Sequence, residues 1–330
     1  MSRKLIPIST IMTLMSTSVM ADVPNVAADI APIHSLVSKV MDGVGEPKLV
    51  IQSGASPHGY RLRPSEAKAL QDANLIFWMG EELTPWLDGA IDTLASNSSV
   101  TSLLDQEGVV LHDFREGALF EAHDHSAHDD HDDHDDHDDH DDHDDHDDHD
   151  DHDDHDDHGH GAHDPHAWLS PENAKLWLNI IASKLSVADP ENAANYFTNA
   201  AAGQAEIEEM ISEVSATLKP VKGGKFVVFH DAYQYFENDF DFYASGAISL
   251  SDASDPSPAR IAKVQRRIRD EGIQCVLAEP QFNQGLVATV MEGSNATASV
   301  IDPLGADIKP GPKLYTQLIK NMAKTLRDCL

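Results

Sequence analysis

The chain is poor in cysteine, in basic side chains and in long apolar runs, and each shortage excludes a class of protein. Only two cysteines occur among 330 residues, Cys275 and Cys329, and their distance along the chain argues against a metal site built from both. Lysine and arginine total 23 against 57 acidic residues, so no basic patch is available to neutralise phosphates and nucleic acid is not an expected partner. Beyond the N-terminus, no stretch approaches the length of a membrane-spanning helix.

The first 21 residues are typical of a secretory signal peptide. Arg3 and Lys4 supply the positive end, and the stretch from Leu5 to Val19 is mostly apolar but interrupted by polar residues. That stretch is too short and too polar for a membrane anchor. No cysteine follows the predicted cleavage site at Ala21, so no lipid anchor is expected. The sequence therefore predicts an exported protein whose mature chain begins near Asp22.

A His-Asp-Asp repeat runs without interruption from His128 to His158, within a longer His- and Asp-rich tract at residues 123–163. The repeat has no apolar side chain to bury, so we expect it to stay outside any folded core, as a disordered loop. One imidazole every third residue, with two carboxylates between, is the donor set of a borderline cation such as zinc. A solvated acidic linker is the alternative, but acidity alone does not require histidine at a strict period.

The tract also dominates the charge of the chain. The formal net charge is -34, and 22 aspartates lie between Asp124 and Asp164, which leaves about -12 for everything else. We expect the following histidines to form a secondary metal-binding loop: His123, His125, His128, His131, His134, His137, His140, His143, His146, His149, His152, His155, His158, His160 and His163.

Outside the tract, short apolar runs alternate with helical patterns, which favours parallel strands joined by crossover helices. The predicted strands cover residues 48–52, 75–79, 225–229, 275–278 and 299–301, and the predicted helices include 63–73, 192–218 and 259–270. The sequence therefore predicts an α/β fold of two lobes, each with a mainly parallel sheet flanked by helices, joined by one long rigid helix. The predicted boundaries are a signal peptide at 1–21, an N-terminal lobe at 22–188 that includes the tract, a linker helix at 189–219 and a C-terminal lobe at 220–330.

The even number of cysteines in an exported protein suggests a disulfide. Cys275 lies at a predicted strand start and Cys329 next to the C-terminus. A bridge between them would attach the last helix to the second sheet.

Three histidines outside the tract lie where an α/β protein binds its ligand, beyond the carboxyl ends of strands or on a restrained loop. His58 follows the first predicted strand, His230 directly follows the strand that ends at Phe229, and His166 lies on a loop with a proline on each side. Asp302 and Glu279 also follow predicted strands. Each has a simpler explanation: a single loop histidine is usually solvent-exposed, and an acid at a strand end often caps the turn. His34 and His112 are treated as background.

Five motifs resemble, in order, a known family: SPHGYRLRPS at 56–65, DPHAWLSPE at 164–172, FHDAYQYFE at 229–237, CVLAEPQF at 275–282 and IDPLGADIKPG at 301–311. Together with the acidic His-rich tract between the first two motifs, they resemble the ZnuA family, the periplasmic zinc-binding components of high-affinity ABC uptake systems. The resemblance covers essentially the whole mature chain.

The resemblance implies a metal site in the cleft between the lobes, with His58 and His166 from the first lobe and His230 from the second. It also implies the disulfide Cys275–Cys329. A third imidazole at His230, where manganese-binding relatives carry a carboxylate, favours Zn²⁺. The fourth ligand stays open: Asp302 is expected either to bind the ion directly or to orient a histidine, and otherwise water completes the coordination.

The function that follows is capture of Zn²⁺ in the periplasm and its delivery to an ABC-type zinc permease in the membrane, by a protein that we expect to be a monomer and not an enzyme. An exported zinc-storage or metal-dependent adhesion protein is one alternative. A zinc hydrolase is another, since three histidines and an open position also describe hydrolytic zinc. Against it, no HExxH motif occurs, and Glu279 is the only evident candidate base.

Overall fold

A computed structural model describes residues 23–115, 120, 163–249, 256–282 and 284–330. The predicted signal peptide and every tract histidine except His163 lie outside the described residues. Among the described residues, none of the helices combines the length and the apolar character that crossing a bilayer requires.

The first lobe contains a four-stranded parallel sheet in the order β2-β1-β3-β4. Its strands are β1 (Val26–Ala28), β2 (Lys48–Leu49), β3 (Leu75–Trp78) and β4 (Ser99–Ser102). The two central strands, β1 and β3, are buried along their whole length, as expected where helices cover both faces of a parallel sheet.

Four helices flank this sheet: α1 (Ala31–Val40), α2 (Pro64–Gln71), α3 (Pro85–Leu94) and α4 (Pro171–Ala188). Each has proline in its first turn, where the missing backbone N–H costs nothing. At the start of α4, the Ser170 side chain accepts a hydrogen bond from the Asn173 backbone N–H and so caps the helix. A short 3₁₀ turn, Ala167–Leu169, precedes α4 directly.

The second lobe repeats the architecture with a parallel sheet in the order β6-β5-β7-β8. Its strands are β5 (Phe226–His230), β6 (Ala247–Ser249), β7 (Cys275–Ala278) and β8 (Thr297–Val300). Its helices are α6 (Gln234–Phe240), α7 (Pro258–Asp270), α8 (Gln284–Met291) and α9 (Leu314–Cys329).

The long helix α5 (Ala193–Leu218) joins the two lobes, framed by 3₁₀ turns at Pro190–Asn192 and Lys219–Val221. It packs against α1 and α4 of the first lobe and against α9 of the second. The two-lobe parallel architecture with a long connecting helix is therefore confirmed.

The predicted element boundaries are accurate at β7 and for most of α5 and α7, and less accurate elsewhere. The strand predicted to end at Phe229 extends by one residue, so His230 is the last residue of β5 and not the first of a loop. The strand predicted at 48–52 is regular only at Lys48–Leu49, and the one predicted at 299–301 begins at Thr297 and ends at Val300. The predicted disulfide forms between Cys275 at the start of β7 and Cys329 at the end of α9.

Candidate metal centre

His58 lies on the loop between β2 and α2, beyond the carboxyl end of β2, and its side chain is half-buried. The loop is held from the side by α3, because Trp86 donates its indole N–H to the Pro57 carbonyl at 2.7 Å. Tyr60, two residues after His58, donates its hydroxyl to Glu66 of α2 at 2.8 Å. These bonds restrict the backbone on both sides of His58.

His166 directly precedes the 3₁₀ turn that leads into α4, and it is buried. Its ring Nδ1 lies 2.7 Å from Asp164 Oδ1, and its backbone N–H donates to the same oxygen at 3.0 Å. A carboxylate at Nδ1 fixes the ring orientation and leaves Nε2 as the free nitrogen. Nε2 is buried and has no hydrogen-bond partner among the described residues.

His230 ends β5, and its neighbour in the sheet is β7, whose last residue immediately precedes Glu279. Since both strands run in the same direction, the two side chains meet at the carboxyl edge of the sheet. His230 Nδ1 lies 2.6 Å from Glu279 Oε1, and Gln281 donates to the other carboxylate oxygen of Glu279 at 2.8 Å. His230 and Glu279 are both buried.

The structure brings the three imidazoles together, with His166 in the middle. The ring centroid of His166 lies 5.5 Å from that of His58 and 5.2 Å from that of His230. Aromatic rings line the group, with Trp168 at 5.2 Å from His166 and Phe282 at 5.4 Å from His230, centroid to centroid. In the part of the chain described, no three His, Cys, Asp or Glu side chains already converge as a group that could hold an ion.

Asp302 lies in the loop after β8, and its carboxylate accepts hydrogen bonds from the backbone of that same loop. Its carboxylate accepts backbone N–H groups from Leu304 and Gly305 at 2.9 Å each and from Ala306 at 2.5 Å. Its charge also reaches Tyr233, a buried tyrosine whose ring centroid lies 6.3 Å from that of His230. In this arrangement Asp302 caps a turn close to the imidazoles.

A second group of charges borders the imidazoles. Arg115, which ends the described stretch 23–115, donates from Nε to both oxygens of Asp231, at 3.0 Å each, and from Nη1 to Glu237 at 2.6 Å. Burial raises the pKa of both carboxyl groups above their ordinary values, although the Arg115 charge opposes the shift. Asp231 directly follows His230, so this ion cluster adjoins the candidate site.

The described residues at the two ends of the tract lie beside the same site. Asp113 and His163 pair as an isolated antiparallel bridge, and His163 Nδ1 lies 2.9 Å from Asp113 Oδ1. Tyr235 of α6 donates its hydroxyl to the Asp164 carbonyl at 2.7 Å and accepts the His112 N–H at 3.1 Å. His112, before the tract, and Asp164, directly after it, are therefore both hydrogen-bonded to the second lobe.

Sequence reasoning identified the three histidines but missed the roles of Asp164, Glu279 and Arg115. The spacing Asp164-Pro165-His166 was a local signal for the first of these. Glu279 had a weaker signal, because its position beside His230 depends on β5 and β7 being neighbours. Nothing in the sequence pointed to Arg115. His34, treated as background, contacts the Pro47 carbonyl at 3.1 Å through Nε2 and is a core residue.

Comparisons with known proteins agree along nearly the whole chain. The family described as "Zinc-uptake complex component A periplasmic", ZnuA, matches residues 26–329. The high-affinity zinc uptake system protein ZnuA of Brucella abortus (strain 2308) is 51% identical over 305 residues, which cover 92% of this chain and 91% of that protein. The protein of the same description from Paracoccus denitrificans (strain Pd 1222) is 47% identical over 311 residues, covering 94% and 93%.

Among solved structures, a crystal structure of ZnuA matches with a TM-score of 0.70. The match covers 93% of this chain and 99% of that one at 20% sequence identity. At that identity the match shows the shared fold alone.

Proposed function

The chain belongs to the ZnuA family of periplasmic zinc-uptake components, and we propose that His58, His166 and His230 hold the Zn²⁺ that it captures. It is a periplasmic zinc-binding protein of an ABC-type zinc uptake system, a solute-binding protein whose cargo is the ion.

The single observation that carries the ligand assignment is the environment of His166. A buried ring nitrogen without a partner costs free energy, unless something that the protein binds satisfies it. Here Asp164 occupies Nδ1, which leaves Nε2 buried and without a hydrogen-bond partner among the described residues. A carboxylate behind a metal-binding imidazole also raises its basicity as a ligand. Glu279 has the same relation to His230.

The spacing of the rings also fits zinc. With Zn–N bonds of about 2.0–2.1 Å and tetrahedral angles, the centroids of two imidazole ligands lie about 5 Å apart. The centroid distances of 5.5 Å and 5.2 Å on the two sides of His166 are close to that value. Two of the three ring pairs therefore already have the spacing that a shared Zn²⁺ requires.

The fourth position is assigned to Asp302 or to a water molecule. Three neutral imidazoles form a soft donor set that suits Zn²⁺ better than the harder, oxygen-preferring cations. Direct binding by Asp302 uses the remaining acceptor position of its carboxylate, which already accepts three backbone N–H groups of its own loop. A water ligand leaves those bonds in place and lets Asp302 stabilise the complex by its charge.

The partner is the membrane permease of the zinc uptake system, which receives the ion from a monomeric binding protein. The His/Asp tract at 123–163 supplies a second, weaker set of donors, and its last histidine, His163, pairs with Asp113 next to Asp164. A tethered donor set raises the local concentration of loosely bound zinc. The first lobe comprises residues 22–188, the linker helix residues 189–219 and the second lobe residues 220–330. Residues 1–21 are removed on export.

Zinc affinity after substitution of the imidazoles tests the proposal. In a chain from which residues 124–161 are deleted, so that only the cleft is measured, His166→Ala is expected to weaken zinc binding by more than about 100-fold. The reason is that it removes a ligand, whereas removing only a ligand's hydrogen-bond partner typically costs about 10- to 100-fold. Competition with a chelator of known affinity gives the dissociation constant.

His112→Ala is the control, because His112 is also a loop histidine that contacts the second lobe, through Asn238, but lies outside the proposed ligand set. It is expected to keep the affinity of the parent chain. If the variant with His58, His166 and His230 all replaced by alanine binds zinc as tightly as the parent, the ligand assignment is wrong.

A further inference from the structure

Four carboxylates border the imidazole cluster, and all four are buried: Asp164, Asp231, Glu237 and Glu279. Asp164 and Glu279 are each engaged by the Nδ1 of an imidazole. Asp231 and Glu237 have no imidazole partner of this kind. Both carboxylates are hydrogen-bonded by the same guanidinium group.

That group belongs to Arg115, which reaches across from the first lobe. Its Nε donates to both oxygens of Asp231, its Nη2 makes a further short contact with Asp231 Oδ1, and its Nη1 and Nη2 both contact Glu237. The planar fork of arginine is suited to holding two carboxylates at fixed positions, which a lysine ammonium cannot do. Both oxygens of Asp231 are therefore engaged by the Arg115 guanidinium.

No other described cation takes this role. Arg260, whose charge also reaches Asp231, directs its Nε to the Ile248 carbonyl at 2.8 Å. Its Nη2 is buried without an acceptor among the described residues. Arg115 is thus the cation whose hydrogen bonds determine where the Asp231 carboxylate points.

The position of Asp231 gives this arrangement a consequence for the ion. Asp231 is the chain neighbour of His230, and its charge interacts with that of His166. A buried carboxylate that lost its hydrogen-bonded cation would be attracted to a divalent ion among the imidazoles, because Arg260 makes its hydrogen bond to the Ile248 carbonyl. Carboxylate oxygen favours harder ions such as Mn²⁺, whereas imidazole favours zinc.

We propose that Arg115 is a positioning residue for metal specificity, which keeps Asp231 out of the ligand set and so preserves the preference for Zn²⁺ over Mn²⁺. This inference rests on the proposed function, because it assumes that the ion lies among the three imidazoles. It assigns a role to a residue that touches neither the ion nor its ligands.

The test compares Arg115→Met with the wild-type mature chain by the rise in melting temperature that free Zn²⁺ or Mn²⁺ produces. Only binding that favours the folded state raises the melting temperature, so donors in a tract with nothing to bury contribute little. We expect the ratio of the Mn²⁺ to the Zn²⁺ dissociation constant to fall by about tenfold, equal to about 1.4 kcal/mol of differential binding. Adding Asp231→Asn to Arg115→Met is expected to restore the wild-type ratio.

Lys39→Met is the matched control, because Lys39 is a cation of the same exposure, 17% for each side chain, and its ion pair with Glu206 lies on α1 and α5. It is expected to leave the ratio unchanged. Arg115→Lys keeps the positive charge without the fork, so it tests the inference should Arg115→Met not fold. We expect it to lower the ratio by a smaller factor.

An unchanged ratio in whichever Arg115 variant folds would overturn the inference, and so would an equal change in Lys39→Met or a change that survives Asp231→Asn. Those results leave the proposed function intact as long as the wild type gains stability from zinc. If the wild type gains none, the proposed function fails, and the inference fails with it.

Discussion

At the scale of single residues, the feature that recurs is a buried carboxylate held by fixed hydrogen-bond partners. Asp29, at the carboxyl end of β1, is fully buried and accepts backbone N–H groups from Ile30 at 2.7 Å and from Met79 at 2.8 Å. It thereby joins the ends of β1 and β3, the two central strands that lead to the cleft. Burial raises the pKa of Asp29 from 3.8 to about 7, while the backbone hydrogen bonds oppose the shift.

The stability of the protein is therefore expected to depend on pH through Asp29. A carboxyl group with a raised pKa in the folded state binds a proton more tightly there than in the unfolded chain. Its favourable contribution is complete below pH 3.8 and is lost as pH rises towards about 7. Relative to Asp29→Asn, the wild-type free energy of unfolding should fall by up to about 1.4 kcal/mol per pH unit between about pH 4 and 7.

Urea denaturation of the metal-free protein at several pH values measures this slope. The slope is compared rather than the absolute free energy of unfolding, because asparagine cannot accept both backbone N–H groups and so lowers the stability at every pH. Asp72→Asn serves for comparison, because Asp72 is exposed and pairs with Lys68 on the surface. Parallel curves for the wild type and Asp29→Asn would show that Asp29 does not titrate in this range.

The candidate ligands could be predicted from the sequence because strand ends and proline-flanked loops are visible in it. His58, His166 and His230 were found in this way. Their partners were harder to predict, since a carboxylate behind an imidazole is chosen by the fold. Glu279 meets His230 only because β7 lies next to β5, and Arg115 meets Asp231 only because the first lobe faces the second.

At the scale of elements, the packing of α5 on its neighbours is set by one small residue. Gly203 lies in the middle of α5, and a Cβ added there would lie 2.9 Å from Leu178 Cδ1 of α4 and 3.1 Å from Lys39 Cγ of α1. The missing side chain lets three helices approach closely, although glycine inside a helix costs about 0.5–1 kcal/mol relative to alanine.

Gly203→Ala is expected to lower the free energy of unfolding by about 1–3 kcal/mol, because overpacking outweighs the gain in helix propensity. Gly89→Ala is the matched control, since Gly89 lies on the exposed side of α3 and an added Cβ would meet nothing within 4 Å. It should stabilise by about 0.5–1 kcal/mol. Chemical denaturation midpoints measure both, and a stable Gly203→Ala protein would mean that α4 and α1 yield easily.

Long elements with clear end signals were predictable, as were the short apolar strands β3 and β7, but several other short strands were not. The α5 helix has a continuous helical sequence of seven turns, and α4 has a serine cap followed by proline. By contrast β1, β4 and β6 are three or four residues long, too short for their alternation to stand out. They form strands because they pair with neighbouring strands in the sheet, and that pairing depends on the tertiary fold and not on the local sequence.

At the scale of the whole molecule, the two lobes share one hydrophobic core. Buried residues of both sheets and of α1, α4, α5 and α9 form a single cluster, and a second, smaller cluster lies on the other face of the second sheet. Buried hydrogen bonds also cross between the lobes. Trp168 donates its indole N–H to the Pro303 carbonyl at 2.8 Å, and the Tyr315 hydroxyl lies 3.0 Å from the Trp168 carbonyl.

A shared core and buried polar bonds oppose any wide opening of the cleft. We expect zinc binding to change the distance between the lobes by about 1 Å or less, as in preorganised complexes. Spin labels at Lys68→Cys on α2 and Arg269→Cys on α7, both exposed, report that distance by pulsed electron spin resonance in the zinc-free and zinc-loaded chain. The two distance distributions should coincide.

Tyr315→Phe, carried by the same labelled chain, shows whether the crossing bonds maintain this fixed distance. The substitution removes the hydroxyl that donates to the Trp168 and Ser170 carbonyls, at 3.0 and 3.2 Å, and should cost about 1–3 kcal/mol. Because Trp168 lies two residues after His166, looser lobes also displace that imidazole. For Tyr315→Phe we therefore expect a broader distance distribution in the zinc-free chain, which zinc binding narrows. If the distance in the wild type instead shifts by several ångströms when zinc binds, the cleft closes around its ion and the lobes are not fixed.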